Sequence, residues 1–257
     1  MLGFCIKKTF FDIWDNLFLL LILNLGFILM TGVVVYLPSL LDFSTFWSIF
    51  GICLGVLLFT LYLGGAAAMT KEMSDFQSVS IASLPRCIMD NLIPSLVIGG
   101  IAIVQVVIIS VVFPFYMNIG GLVGLGVASL IFWSSLIWWI ASQYYWPLYC
   151  RLEGNAKKAL KKSVLLFFDN TGFSIFLGVG SIFLLVVSAF TAFLIPGFAA
   201  ILLWHQVGFK LRLYKYDYLE ENPGADRKRI PWAVMVQEDR EKIGPRSLKG
   251  MIFPWKE

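Results

Sequence analysis

Apolar residues along this chain come in long uninterrupted blocks, and polar residues gather between them. Six blocks stand out, at residues 17–37, 46–69, 92–113, 122–146, 173–194 and 197–213. At ~1.5 Å per residue, runs of this kind reach roughly 30 Å, the hydrocarbon thickness of a bilayer. Each reads as a membrane-spanning helix. The last is shorter, and Lys210 and Arg212 can snorkel from it. Polar breaks with Pro38, Pro114 and Pro196-Gly197 are expected to end or turn the odd-numbered spans.

The segments before odd-numbered spans follow a different pattern. Lys157, Lys158, Lys161 and Lys162 alternate with Ala159, Leu160, Val164, Leu165, Phe167 and Phe168, which predicts a basic amphipathic helix at the membrane surface. A weaker version precedes the first span, and a mixed segment at residues 70–89 precedes the third. Each segment ends in Asp-Asn, at Asp15-Asn16, Asp90-Asn91 and Asp169-Asn170, spaced by 75 and 79 residues. The local reading is that Asp15, Asp90 and Asp169 are helix N-caps, satisfying free N–H groups where a span begins. That explains the residue types but not the regular spacing. The spacing predicts an all-α integral membrane protein of six transmembrane helices, arranged as three parallel helical-hairpin repeats. Each repeat is preceded by a cytoplasmic interfacial amphipathic helix.

Composition agrees. Of 257 residues, 59% are hydrophobic and 14% charged, against about half and a quarter in soluble domains. Charge also sets direction. Six spans place all 20 Lys and Arg on one side and only Asp42 on the other, so both termini are expected in the cytoplasm, in a bacterial inner membrane. Four lysines on one surface helix predict contact with anionic lipid headgroups. The first run is too long for the core of a signal peptide, and no A-x-A site follows, so it reads as a retained helix. Residues 214–257 form a charged tail. Within it Met251, Ile252, Phe253 and Trp255 are expected to dock on the membrane or on the protein's cytoplasmic face.

Small residues mark close helix packing: Gly51 with Gly55, Gly120 with Gly124, and the run Gly64-Gly65-Ala66-Ala67-Ala68. Contact within the chain is the preferred reading over dimerisation. The fourth run carries Trp133, Trp138, Trp139, Tyr144, Tyr145 and Trp146, and the cluster at its end is expected as an interfacial aromatic belt. Cys5, Cys53, Cys87 and Cys150 form no CxxC pair and read as apolar filler.

Three stretches carry a family likeness: IWDNLFLLLILN at residues 13–24, GAAAM at 65–69 followed by residues 76–91, and YWPLYCRLEGNAKKALKKSVLLFFDN at 145–170. The last resembles a Pro-Leu…Arg-x-Glu…Leu-Lys-x-(Ala/Ser) pattern, here Pro147, Leu148, Arg151, Glu153, Leu160, Lys161 and Ser163. By these the chain resembles the YesL-like family of bacterial integral membrane proteins, over some 200 residues. It departs from that family in its first loop and its long tail. The resemblance implies no activity. It implies an accessory role beside carbohydrate ABC transporters.

Candidate chemistry is sparse. The single histidine, His205, excludes a His-cluster metal site, and no span holds a carboxylate for a triad or proton relay. P-loop and dinucleotide fingerprints are absent. No enzyme, cofactor or nucleic-acid partner is expected. Asn24, Gln105, Gln143, His205 and Gln206 are polar positions inside spans, costly in lipid and so expected to face protein. Asn24, Gln105, His205 and Gln206 are the candidate binding residues, His205-Gln206 foremost as a pair. Two functions fit: an accessory or scaffold protein contacting another membrane complex, or a small transporter or channel for an uncharged solute. A path touching Asn24, Gln105 and His205 would favour transport.

Overall fold

A computed structural model of the chain describes residues 1–152, 154–227 and 230–246. The candidate docking residues Met251, Ile252, Phe253 and Trp255 lie outside them. The described residues are helical, without strands. Five helical stretches are long and apolar enough to cross a membrane: Leu17–Leu40, Thr45–Ser74, Leu92–Ile119, Gly121–Arg151 and Thr171–Phe190. The chain is a multi-pass helical membrane protein.

Helix α1 (Leu2–Asp15) buries Cys5, Lys8, Thr9 and Asp12 on one stripe at helical spacing. One residue later α2 (Leu17–Leu40) begins, and it pairs with α3 (Thr45–Ser74). The α2–α3 hairpin closes on the small residues expected of it. A Cβ on Gly55 would lie 2.9 Å from the Val34 Cα, and one on Gly51 would lie 3.0 Å from the Pro38 Cα. Backbone leaves no room there, so Gly55→Leu should force the helices apart and cost about 1–3 kcal/mol, read as a lower unfolding temperature in detergent. Gly64 and Gly65 seat the next unit, against the Ser95 hydroxyl and Ile88. Gly120 and Gly124 divide their roles: Gly124 packs under the Tyr116 carbonyl, while Gly120 turns the chain at φ +64.

Several boundaries differ from the sequence reading. Pro38 lies inside α2, whose last turn runs on to Leu40. Residues 114–119 are not a loop. After α4 (Leu84–Asp90), helix α5 (Leu92–Val107) widens into a π-turn at Ile108–Val112 and continues as α6 (Phe113–Ile119). Pro114 has no N–H and its ring crowds the carbonyl four residues back; the wider turn makes room for it. The chain reverses instead at Gly120-Gly121, both at φ 64. Helix α7 (Gly121–Ser142) then breaks before α8 (Tyr145–Arg151).

The aromatic cluster there is not a single belt. Tyr144 and Tyr145 are fully buried and Trp146 nearly so, with the Tyr145 hydroxyl donating to the Pro94 carbonyl at 2.8 Å and the Tyr144 hydroxyl 2.8 Å from that of Ser174. Only Trp133 and Trp139 of that set are exposed. Helix α9 (Ala156–Asp169) leads into α10 (Thr171–Phe190), which ends four residues before the apolar run does, at a turn with Ala192 and Phe193 at positive φ.

Helix α11 (Gly197–Glu221) continues past Leu213, so the change in composition at Tyr214 is no break in the helix. It is absent from the five long apolar stretches because His205, Gln206, Lys210 and Arg212 interrupt its hydropathy. It is also the central helix, burying Ala199, Ala200, Leu202, Leu203, Trp204, Gln206, Val207, Gly208, Phe209, Leu211 and Arg212 against α1, α2, α3, α8 and α10. Protein surrounds Gln206 and Arg212, which is where such groups are tolerated at membrane depth. Two short helices, α12 (Trp232–Met235) and α13 (Gln237–Ile243), follow, and Val236 between them belongs to the main core.

The three Asp-Asn pairs share one construction, but the Asp residues are not N-caps. Asp15, Asp90 and Asp169 are the last residues of α1, α4 and α9, and the following Asn is the boundary residue, with no side-chain bond to the next helix's N–H groups. Asn16 and Asn91 turn their amides backwards instead, donating to the Asp12 and Cys87 carbonyls at 2.9 and 2.7 Å. Each Asn carbonyl accepts the first i→i−4 bond of the following helix, from the N–H of Leu20, Ser95 and Ser174. The joint is therefore made by backbone continuity and by closing the earlier helix.

Candidate functional site

The polar residues inside spans divide between one cleft, lined by Gln105, Gln143 and His205, and separate structural bonds made by Asn24 and Gln206. Asn24 fastens the α10–α11 turn: its Nδ2 donates to the Leu194 and Pro196 carbonyls at 2.9 and 2.7 Å, and its Oδ1 accepts from the Ala199 N–H at 2.9 Å. All of its capacity goes to backbone. Asn24→Leu should strand those groups and cost about 1–3 kcal/mol, measurable by thermal unfolding in micelles. Gln143 donates to the Ser174 carbonyl at 2.9 Å. Gln105 donates to the Ser135 hydroxyl at 2.7 Å, and the His205 Nε2 lies 2.7 Å from the Ser181 hydroxyl.

Gln105 and His205 line one cleft of about 840 Å³ between α5, α7, α10 and α11, with mostly aliphatic and tryptophan walls. Asn24 and Gln206 lie outside it. His205 and Gln206 do not act as a pair, because adjacent helical positions point about 100° apart. Gln206 serves a different cluster, donating to the Ala67 carbonyl at 3.2 Å and accepting from Arg151 Nε at 3.3 Å.

That cluster is the densest chemistry in the molecule. It forms where α3, α8 and α11 end or leave the apolar region, under cover of α1 and α13. Arg151, at the end of α8, holds both oxygens of Asp75, just after α3, at 3.0 and 2.9 Å, and also reaches the Ser74 hydroxyl. Lys210 of α11 lies 3.2 Å from Asp75 and 3.0 Å from Asp239 of α13. The Tyr214 hydroxyl donates to the other Asp239 oxygen at 3.1 Å. Beside them Lys8 and Asp12 of α1 pair at 2.9 Å, with side chains 0% and 2% exposed.

Phe76 completes the layer. It is the left-handed residue of a Schellman ending on α3, at φ 58, with its N–H bonded to Met73 O and the Gln77 N–H to Glu72 O. A non-glycine residue is strained there. The strain puts an aromatic face beneath three ammonium groups: Lys8 at 3.7 Å from the ring centroid, Lys210 at 5.5 Å and Lys242 at 5.6 Å.

Burial and charge oppose each other in this layer. At Asp75 burial works to raise the pKa, but Arg151 and Lys210 outweigh it and hold the carboxyl below its ordinary value. At Asp12 burial wins over Lys8 and pushes the carboxyl up to about 6. Lys8 is lowered, chiefly by the same burial and against the pull of Asp12. Arg151 and Lys210 supply fixed positive charge to Asp75, whereas Asp12 has one short-range partner and little water.

Among the described residues no three His, Cys, Asp or Glu side chains come together in a set that could hold a metal ion. The four lysines of α9 are exposed, while Ala159, Ser163 and Phe167 face inward; Leu165 and Phe168 are exposed beside the lysines.

In the sequence Asp75 is one polar residue of the mixed segment 70–89, Arg151 belongs to the family-like pattern and Lys210 is a snorkelling residue, and nothing local joins them. One signal was available: each stands where an even-numbered span ends. A comparison of the chain with protein-family models, with characterised proteins and with solved structures finds no match.

Proposed function

We propose that the chain is a six-span, non-enzymatic protein of the bacterial cytoplasmic membrane, with both termini inside, that serves as an accessory or scaffold to another membrane complex. The observation that carries this reading is the charged layer. Residues from the ends of three hairpins and from the tail are bound there into one buried network, which suits a rigid cytoplasmic platform better than a moving gate. The disposition of the polar span residues supports it too, since Asn24 and Gln206 are spent on backbone and network bonds. The lysine asymmetry supports the orientation. The burial of α11 supports counting it as the sixth span.

The three Asp-Asn joints support the parallel-hairpin repeat, and superposing the three helix-joint-hairpin units would test it. The exposed Lys157, Lys158, Lys161 and Lys162, next to Leu165 and Phe168, suit α9 to an anionic membrane surface, at about 1 kcal/mol per lysine. The YesL-like resemblance makes a carbohydrate ABC transporter the partner to look for first.

The test is cross-linking in native membranes followed by affinity purification. A stoichiometric integral-membrane partner supports the reading, and isolation of the chain alone after cross-linking overturns it. A second reading, a small transporter or channel for an uncharged solute, is favoured by the cleft that holds Gln105 and the His205–Ser181 pair. Solute flux into proteoliposomes that falls with His205→Phe would establish it in place of the first.

A further inference from the structure

We infer that the surface beneath α13 is a receptor for a carboxylate, filled in this structure by the chain's own Asp239 and open to an acidic peptide segment of a partner protein. This rests on the accessory reading above and names the contact through which it would act.

The argument begins with charge balance. Three cations lie deep in the layer, Lys8, Arg151 and Lys210, with side chains 0%, 8% and 13% exposed, and Lys71 reaches Asp75 from the more exposed edge at 3.6 Å. Three carboxylates answer them: Asp12, Asp75 and Asp239. Two belong to the body of the protein, and the third is brought by the tail. With an uncharged segment seated in place of α13, Lys210 would share Asp75 with Arg151 and Lys71, and the three deep cations would face two carboxylates. An uncompensated buried charge is strongly unfavourable. Whatever displaces α13 must therefore bring negative charge to the same place.

Geometry narrows the chemistry. The two oxygens of Asp239 are taken separately, one by Lys210 at 3.0 Å and one by the Tyr214 hydroxyl at 3.1 Å. Two donors aimed at two coplanar oxygens fit a carboxylate. Asp75 lies 3.2 Å from the same Lys210 ammonium, so a dianionic phosphate there would meet a fixed negative charge. Asp239 is 2% exposed, and Val236 and Ile243 flank it as buried apolar anchors. The complementary ligand is a short helical segment with one acid between two aliphatic residues. Such a segment from a partner exchanges with α13, so the tail guards the surface until the partner arrives.

The experiment uses the full chain in detergent micelles. The probe is a fluorescent peptide of residues 231–246, together with a copy carrying Asn at the position of Asp239. Binding is measured to the wild-type protein, to Asp239→Asn, and to Asp239→Asn combined with Lys210→Met. The acidic peptide should bind Asp239→Asn at least tenfold more tightly than wild type, the Asn peptide should show no such preference, and Lys210→Met should remove the gain. Equal affinity of the acidic peptide for wild type and Asp239→Asn overturns the inference, as does equal binding of the two peptides.

Should Asp239→Asn fail to fold, amide hydrogen exchange in Gln237–Ile243 of the wild-type chain decides. Excess acidic peptide should speed it and inorganic phosphate should not. No acceleration by the peptide, or equal acceleration by phosphate, overturns the assignment. Peptide binding as expected without any co-purifying partner would sink the accessory reading and leave the receptor standing. A partner retained undiminished by Lys210→Met, with no peptide binding, would do the reverse.

Discussion

Arg151→Ala should lower unfolding free energy by about 1.5–3 kcal/mol, the range for losing hydrogen bonds to a charged group, because Asp75 keeps Lys210 at 3.2 Å. Arg151 carries more than a pair. It bonds both oxygens of Asp75, the Ser74 hydroxyl and the Gln206 carbonyl oxygen, and so ties the end of α3 to α8 and α11. Arg151→Lys should recover only part of the loss, since one ammonium cannot replace a planar group whose three nitrogens go separately to Asp75, Ser74 and Gln206.

The pH dependence separates this from simple packing loss. Asp75 has a folded pKa below its unfolded one, so its contribution is present above the unfolded value near ~3.9 and is lost as pH falls through the folded value. Without Arg151 that folded value rises, and acid unfolding should begin at higher pH in Arg151→Ala than in wild type. Chemical unfolding in mixed micelles across pH 3 to 7 reads both effects; an unchanged acid midpoint would show that Arg151 acts through its bulk alone.

The Lys8–Asp12 pair should behave differently. Asp12→Asn leaves a buried ammonium with a weakened partner, and Lys8→Met leaves a buried carboxylate; each single change should cost about 3–5 kcal/mol. The double change Lys8→Met with Asp12→Leu should fall within about 1 kcal/mol of wild type or above it, because a well-packed apolar pair escapes the desolvation penalty. The raised pKa of Asp12 gives the sign with pH. A carboxyl whose folded value, about 6, exceeds its unfolded value contributes stability fully present below the unfolded value and lost as pH rises through 6. Single and double variants compared by thermal unfolding would reveal the coupling, and additive effects would dismiss it.

The two ion pairs also show what the chain discloses and what it hides. Lys8 and Asp12 are four apart on one helix, so their meeting follows from helical geometry once their stripe is known to face inward. Arg151 and Asp75 are 76 positions apart, and Lys210 and Asp239 are 29 apart. Nothing local relates them, and only the packing of α3, α8 and α11 does. Reading lysine and arginine beside apolar blocks as topology signals needs only their side of the membrane, not their neighbours.

Five of the six apolar runs were legible for the same reason: hydropathy is a property of each segment alone. Their ends were harder to read. Pro38 and Pro114 look like stops, but Pro38 sits in a last turn with little helix left to disturb, and a π-turn absorbs Pro114. The run to Leu194 outlasts its helix because residues 191–196 stay apolar while the backbone turns. Asn24 and His205 were legible as unusual, since a polar side chain in lipid needs a reason. Whether that reason is a ligand or a turn depends on the distant strand of chain each one meets.

The single-asparagine joints bear on how this protein would feel its surroundings. Between α9 and α10, as between α1 and α2 and between α4 and α5, there is no slack: one residue separates two rigid rods. A rod about 30 Å long that leans over must swing the rod coupled to it. Thinning or thickening of the bilayer changes how far spanning rods lean. Each joint is thus an elbow that couples the lean of a spanning rod to the pitch of the short helix before it.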